Sequence, residues 1–423
     1  MLVEFSVANF RSIKEIQTLN MTAANISSKN KELDKYNILP VSDKLTLLKS
    51  KVIYGANASG KSNIIKALVT FLSIVDSSVK DDNILDRIIP FRLSTVTEDK
   101  PTFFQIIFIA NKVTYRYGFE ATSEKIISEW LFGSPNKKEV PFFTRQDGII
   151  NVNEAQFKEG TKLINLYKKD KNEVARENSL FLTTAKTLNG KVSRQILDNI
   201  SAIGVITGLS DRFLYSFSSG FIKEEQKRNK LTELLRNMGT GIESIDRIEI
   251  KKDNFQSDLS NDFEKEKLHT YIFTEHNKFN KSNKKALPVF FELEDESEGS
   301  QKMFEIAPFI LTALENGFTL FIDEFDARFH PILTKKLIEL FNSNINKGAQ
   351  FIIMTHDTNL LSSRLLRRDQ ISFTEKDKYG ATHLYDLVSF KGIRNDASLE
   401  KDYIAGKYGA IPFIGDFSSI IEE

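Results

Sequence analysis

Residues 51–67 read KVIYGANASGKSNIIKA, and the rest of the chain is placed around them. Val52, Ile53 and Tyr54 are apolar and β-prone, Gly55 to Ser62 spell GxxxxGKS, and Ile64, Ile65 and Leu68 recur at helical spacing. Strand, loop, helix is the context that a phosphate-binding loop requires. Gly55 and Gly60 open dihedrals closed to other residues, which gathers successive backbone N–H groups around one concave point. The candidate cradle is therefore the whole run Gly55, Ala56, Asn57, Ala58, Ser59, Gly60, Lys61, Ser62 and Asn63. Those N–H groups and the positive end of the following helix suit phosphate oxygens. Lys61 is placed to reach the β- and γ-phosphates, and the Ser62 hydroxyl to hold Mg²⁺. The blander reading is a Gly-rich turn before an ordinary helix; the flanking strand and helix weigh against it.

Working outward, 423 residues exceed the usual size of one core, so two lobes or a domain with a large insertion is expected. Lys and Arg total 58 against 57 Asp and Glu, so any nucleic-acid contact has to come from a local patch. There is no cysteine, which excludes disulfides, thiolate metal sites and a Cys nucleophile. The opening MLVEFSVANFRS is broken by Glu4, Asn9 and Arg11, and no long uncharged apolar run follows. The expectation is a cytoplasmic protein outside the membrane.

Along the chain, residues 2–10 alternate as a strand does, and 24–43 read as a polar loop. From Pro90 to Glu129 short strands follow one another, with Asn111-Lys112 as a turn and Asp147-Gly148 as a hairpin signal, which predicts an antiparallel meander. Trp130 is read as a packing residue. The expected divisions are a first lobe over 1–154, a mostly helical insertion over 155–285 and a second lobe over 286–423. The basic run HNKFNKSNKK, His276 to Lys285, reads as a solvated loop.

Two later stretches carry chemistry. Phe318 to Ile322 is a continuous apolar run ending in Asp323-Glu324. Adjacent carboxylates at a buried strand end repel one another unless a cation relieves them. Asp323 is the expected Mg²⁺ ligand, and Glu324 is placed to polarise a water for attack on the γ-phosphate. Then AQFIIMTHDTN repeats strand and polar end, so His356 is expected beside the acids, facing one crevice, as a γ-phosphate sensor. Between them ESEGSQK opens a helix, with Ser297 and Ser300 also readable as plain N-caps.

In order, GANASGKS, ESEGSQK, LFIDEFD and THD resemble the ATP-binding-cassette superfamily, on the branch that holds RecF, SMC proteins and the ATPase half of OLD-type nucleases. NFRS (Asn9 to Ser12) matches the opening of the RecF-like branch. The start MLVEFSVANFRSIKE, the run LLRRDQISFTEKDKYGATHLYDL and EKDYIAGKYGAIP are similar to RloA- and AbiLi-type ATP-binding proteins of bacterial anti-phage and abortive-infection operons. The resemblance implies an α/β fold: a P-loop nucleotide-binding domain with a mixed or parallel sheet, helices, an antiparallel meander and the insertion. It implies ATP and Mg²⁺ as cofactors, with catalytic roles for Lys61, Glu324 and His356 and metal ligation by Ser62 and Asp323. Ser297 and Gly299 would bind the γ-phosphate of ATP held by a second subunit, and Asp326 would lie in the dimer-contact loop. SEGSQ (Ser297 to Gln301) matches the position of that superfamily's LSGGQ signature, but lacks its leucine and has Glu298 where glycine is usual; Gln105 and Gln146 are the candidates for the Q-loop.

The function so implied is an ATP-hydrolysing switch in a homodimer or higher homo-oligomer, holding or releasing a separate effector such as an RloB-like nuclease. The alternative is a RecF-like DNA-binding repair ATPase, for which the basic runs near Lys278 and Arg364 to Arg368 are the available contacts.

Overall fold

The computed structural model describes residues 1–136, 138–166, 174–207, 211–251, 268–325, 329–393 and 398–412. The chain divides into two compact units: Met1–Thr207 with Asn316–Asp326 and Thr334–Glu423, and Gly208–Glu315 with Ala327–Leu333.

The chain opens with β1 (Leu2–Ala8), β2 (Gln17–Asn20), α1 (Lys31–Tyr36), β3 (Ile38–Ser42), β4 (Leu45–Leu48), β5 (Ser50–Gly55) and α2 (Lys61–Ser77). A meander follows: β6 (Thr102–Ala110), β7 (Val113–Ala121), β8 (Ile126–Gly133), β9 (Val140–Gln146) and β10 (Ile149–Val152). Next come α3 (Lys158–Leu166), α4 (Phe181–Thr187), α5 (Lys191–Ser201) and β11 (Gly204–Ile206). Then follow α6 (Asp211–Phe221), α7 (Glu225–Asn237), β12 (Ile242–Lys251), β13 (Leu268–His276), β14 (Val289–Glu292) and α8 (Glu298–Asn316). The chain closes with β15 (Thr319–Ile322), α9 (Pro331–Phe341), β16 (Gln350–Met354), β17 (Ile371–Lys376), β18 (Thr382–Asp386) and α10 (Leu399–Ile404).

In the first unit, the sheet that positions the site runs β11-β15-β16-β5-β17-β18 among the described residues. Its first five strands are parallel and β18 returns antiparallel. β5 is buried along its whole length, as expected of an apolar strand with neighbours on both edges. Its one charged residue, Lys51, is tied down: Nζ donates to Asn20 O (2.7 Å) and Asp369 O (3.1 Å) and pairs with Asp386 at 3.0 Å.

The meander forms a second, antiparallel sheet, β10-β9-β8-β7-β6-β1-β2. Asn111 (φ 48°) and Lys112 (φ 65°), then Asp147 (φ 48°) and Gly148 (φ 83°), take the left-handed conformations that two-residue hairpins demand. The helix α2 packs on this sheet through Phe71, which stacks on Phe119 at 5.6 Å and meets Phe5 edge-on at 5.8 Å. Trp130 stacks on Phe103 and donates Nε1–H to Gln105 Oε1 at 3.2 Å.

Three expectations need correction. The polar stretch 24–43 holds α1 and β3; Asn30 caps the helix by accepting from Glu32 N–H, and Leu33 alone anchors it, too little for a visible period. The first unit extends through Thr207, well past residue 154, because Phe157, Leu163, Phe181, Ile196 and Ile200 share one buried core with Phe71 and Phe143. The second unit is also less helical than anticipated: α6, α7 and α8 accompany the sheet β12-β13-β14.

Glu129 holds α4 to the meander from a fully buried position. It accepts from Phe181 N–H (2.6 Å), Leu182 N–H (3.0 Å) and Tyr117 O–H (3.0 Å), with Arg145 at 3.9 Å. Burial pushes its carboxyl up, while Arg145 and the N–H donors pull the other way. Glu129→Leu removes the buried counter-charge of Arg145, which keeps its bonds to Ser179 O (2.6 Å) and Arg176 O (3.0 Å), and unpairs two N–H groups and a tyrosine hydroxyl; it is expected to cost about 3–5 kcal/mol, read by urea unfolding. A loss under about 1 kcal/mol would show that the network contributes little.

Candidate functional site

At the carboxyl end of the parallel sheet, β5 ends in the glycine-rich loop, β15 in Asp323-Glu324, β16 in Thr355-His356 and β17 in Lys376. A cavity of about 390 Å³ opens there, lined by Asn57, Ala58, Ser59, Gly60, Lys61, Ser62, Asn63, Asp323, Glu324, Met354, His356 and Lys376. That volume suits a small-molecule ligand. Crevices at the carboxyl ends of such strands are where open α/β sheets bind ligands.

The loop is built as a cradle. Ala58 (φ 62°) and Gly60 (φ 108°) are left-handed, which turns consecutive N–H groups inward. A Cβ on Gly60 would run into Thr382 Oγ1, and one on Gly55 into Thr374 Oγ1 and Ser59 Oγ, so both glycines are required by close approach. Lys61 is buried and folds back over the loop, its Nζ donating to Gly55 O (2.6 Å) and Ala56 O (3.2 Å). Gly55 and Ala56 thus form the back of the loop rather than the cavity wall. Lys61, Ser62 and Asn63 form the first turn of the helix α2, in which Asn63 N–H already donates to Gly60 O (2.9 Å).

On the opposite side, Asp323 is half-buried, its N–H donating to Ile206 O (2.9 Å) and its Oδ1 accepting from Glu324 N–H (3.1 Å). Glu324 is exposed with φ 51°, an uncommon conformation for a glutamate and one that turns its side chain into the crevice region. His356 is exposed at the end of β16, which pairs in parallel with β15 on one edge and β5 on the other. The acids, the histidine and the loop therefore meet, as the strand-end pattern suggests.

The other candidates fall elsewhere. Ser297 and Gly299 belong to the second unit, where Ser297 Oγ accepts from Ser300 N–H (3.2 Å) as the cap of α8. Asp326 lies outside the described residues. Gln105 and Gln146 sit on β6 and β9, and neither lines the cavity.

Three residues escape sequence reasoning. Lys376 lines the cavity from β17, across the loop from the acids, and Met354 contributes at the end of β16. Thr382, opposite Lys376 on β18, bonds Ser59 O (3.1 Å) and the Ser12 hydroxyl (2.8 Å), while Asn63 Nδ2 donates to Ser12 Oγ (2.6 Å). The NFRS turn is thereby buttressed against the phosphate loop. Its only sequence signal is the motif itself.

The donor set fits a magnesium nucleotide: a serine hydroxyl and a carboxylate on one side, a ring of N–H groups and a lysine on the other. Among the described residues no group of three or more His, Asp or Glu is gathered, so a cation here would take further ligands from phosphate and water. No helix among them is long and apolar enough to cross a membrane.

Solved structures similar to this chain include the Smc head bound to the C-winged helix domain of ScpA, at 15% identity and a TM-score of 0.43 over 91% of this chain and 97% of that one. The SMC head domain from Thermotoga maritima is 12% identical with a TM-score of 0.41, covering 91% and 98%. A Smc head with an extended coiled coil bound to the C-terminal domain of ScpA, from Pyrococcus furiosus, is 15% identical with a TM-score of 0.40, covering 96% and 98%. No curated protein matches the chain. The family described as "AAA domain, putative AbiEii toxin, Type IV TA system" matches residues 52–362, from the phosphate-loop strand to just beyond His356. That span is most of the chain, and the protein belongs to this family.

Proposed function

We propose that the protein is a Mg²⁺-dependent ATPase acting as the switch subunit of an anti-phage or abortive-infection system, of RloA or AbiLi type. The observation that carries the reading is the single cavity onto which the phosphate loop, Asp323, Glu324 and His356 converge. Phosphoryl transfer to water asks a protein mainly for positioning and charge neutralisation, and these residues supply both. The loop N–H groups and Lys61 hold the phosphates; Ser62 and Asp323 hold Mg²⁺, which supplies charge neutralisation when bound. Glu324 orients and deprotonates the attacking water, and His356 contacts the γ-phosphate.

In this reading ATP joins two subunits head to tail, with Ser297 and Gly299 of one chain closing over the nucleotide of the other. Hydrolysis lets the subunits part and changes the hold on a separately encoded effector, such as a nuclease of RloB type. Co-expression with the neighbouring gene product tests it: the two are expected to co-purify, and the complex to change with ATP. A protein that hydrolyses ATP yet retains no partner with or without nucleotide would end the switch reading while leaving the ATPase.

The alternative, a RecF-like DNA-binding repair ATPase, loses one of its basic runs. Arg367 is buried in ion pairs with Asp34 (2.5 Å) and Asp369 (2.8 Å), and Arg368 donates to Ile393 O (3.1 Å). DNA affinity falling steeply with salt would favour it.

A further inference from the structure

The second unit carries an edge strand whose own sequence describes what covers it. β14 pairs with β13 on one side, Phe273 to Glu292 through His276 to Val289, and ends the sheet on the other among the described residues. Its residues Val289-Phe290-Phe291-Glu292 include none of the lysines that usually protect an open edge. Phe290 is 54% exposed, Phe291 41%, and Leu287 just before them 85%. Opposite Phe290 on β13 stands Glu275; Tyr271 and Ile248, opposed to one another and also exposed, lie on the same sheet face four residues of β13 further along.

Charge is distributed unevenly along this strand. The loop that leads into it bears Lys278, Lys281, Lys284 and Lys285; Glu292, Glu294, Asp295 and Glu298 stand at its far end. All eight are exposed, and none has an ion-pair partner among the described residues. Glu296, between them, is already engaged by His276 at 2.6 Å. A strand positive at one end and negative at the other is matched by its own reverse: a parallel copy sets like against like, an antiparallel copy sets opposite charges together.

We propose that β14 pairs antiparallel with β14 of a second copy of this chain, joining the two three-stranded sheets into one. A two-fold axis normal to a continuous sheet keeps faces, so residues directly opposed must point the same way. Centred on Phe290, this register sets Phe290 against Phe290 of the partner subunit and Val289 against Phe291 of the partner subunit. Lys284 and Lys285, which precede the strand, then lie toward Glu292 of the partner subunit and the short 3-10 turn of Glu294 and Asp295 that follows it. The contact is short and largely electrostatic in its orientation, so it weakens with salt. It needs no nucleotide, and stands or falls independently of the ATPase reading.

The absence of native cysteine makes the test clean. Directly opposed residues of an antiparallel pair have Cα atoms roughly 4.5–5.5 Å apart, within disulfide reach. Two copies of residue 287 in the same register lie about 20 Å apart, six residues of strand. In the nucleotide-free protein, mild oxidation of Phe290→Cys is expected to give a cross-linked dimer at least ~10-fold faster than Leu287→Cys, the reverse of what exposure alone dictates. Equal rates, or the faster reaction at 287, would overturn the register. Light scattering adds a second measurement. Lys284→Glu with Lys285→Glu should leave monomer, and adding Glu294→Lys with Asp295→Lys to the same chain should restore the dimer. A wild-type chain that is monomeric at its highest soluble concentration and low salt, or a double charge reversal that leaves the dimer intact, refutes the proposal.

Discussion

Lys61→Ala is expected to weaken ATP binding by about 100-fold or more, since an ammonium donating to phosphate oxygens contributes roughly 1.5–3 kcal/mol for each charged hydrogen bond lost. The side chain is already in position: it is buried at the mouth of the loop, and its present partners include the carbonyls of Gly55 and Ala56. A triphosphate entering the cradle offers it stronger acceptors than those two neutral oxygens. Titration with a fluorescent ATP analogue reads the loss, and a melting curve near wild type shows that the loop still folds. Unaltered affinity in the folded variant would place the nucleotide elsewhere.

Glu324→Gln separates binding from chemistry. The amide preserves shape but cannot take a proton from water, so phosphate release is expected to fall by at least ~100-fold while ATP affinity stays within a few-fold. Glu324 protrudes from the strand end and touches the loop residues only across the cavity, so little else should change. With hydrolysis stalled, the ATP-joined assembly should accumulate, visible by light scattering as a larger mass in ATP and Mg²⁺ than in ADP, over and above any association that needs no nucleotide. Turnover near the wild-type rate would move the base to another group, with His356, which lines the same cavity, the alternative.

What the sequence discloses about this site is what lies close together along it. GANASGKS turns, cradles and starts a helix within a few residues, and each strand end announces its own polar tip, as at Asp323-Glu324 and His356. Contacts between distant segments leave no such mark. Thr382 closes on Gly60 and Ser12 from β18, and Lys376 reaches the cavity from β17; both look like ordinary strand residues in isolation. The helices α3 to α5 show their apolar faces plainly, yet periodicity does not say which sheet such a face will cover. The edge of the second unit is a milder case. GIESIDRIEIK forms β12, but its isoleucines at 242, 245 and 248 fall three apart, a helical spacing, and only Ile248 and Ile250 alternate as a strand does.

The order of strands around β5 also bears on how this protein comes into being. The phosphate-loop strand is made early, but its sheet neighbours are residues 350–354 and 371–376. A ribosome adding some 5–20 residues each second therefore exposes the loop for many seconds before either flank exists. Until then the strand has no ladder to join, and pairings of such long sequence separation form slowly. A truncated nascent chain thus carries the binding motif without the walls that give it function, so premature termination anywhere before the histidine strand yields an inert fragment, not an unregulated enzyme.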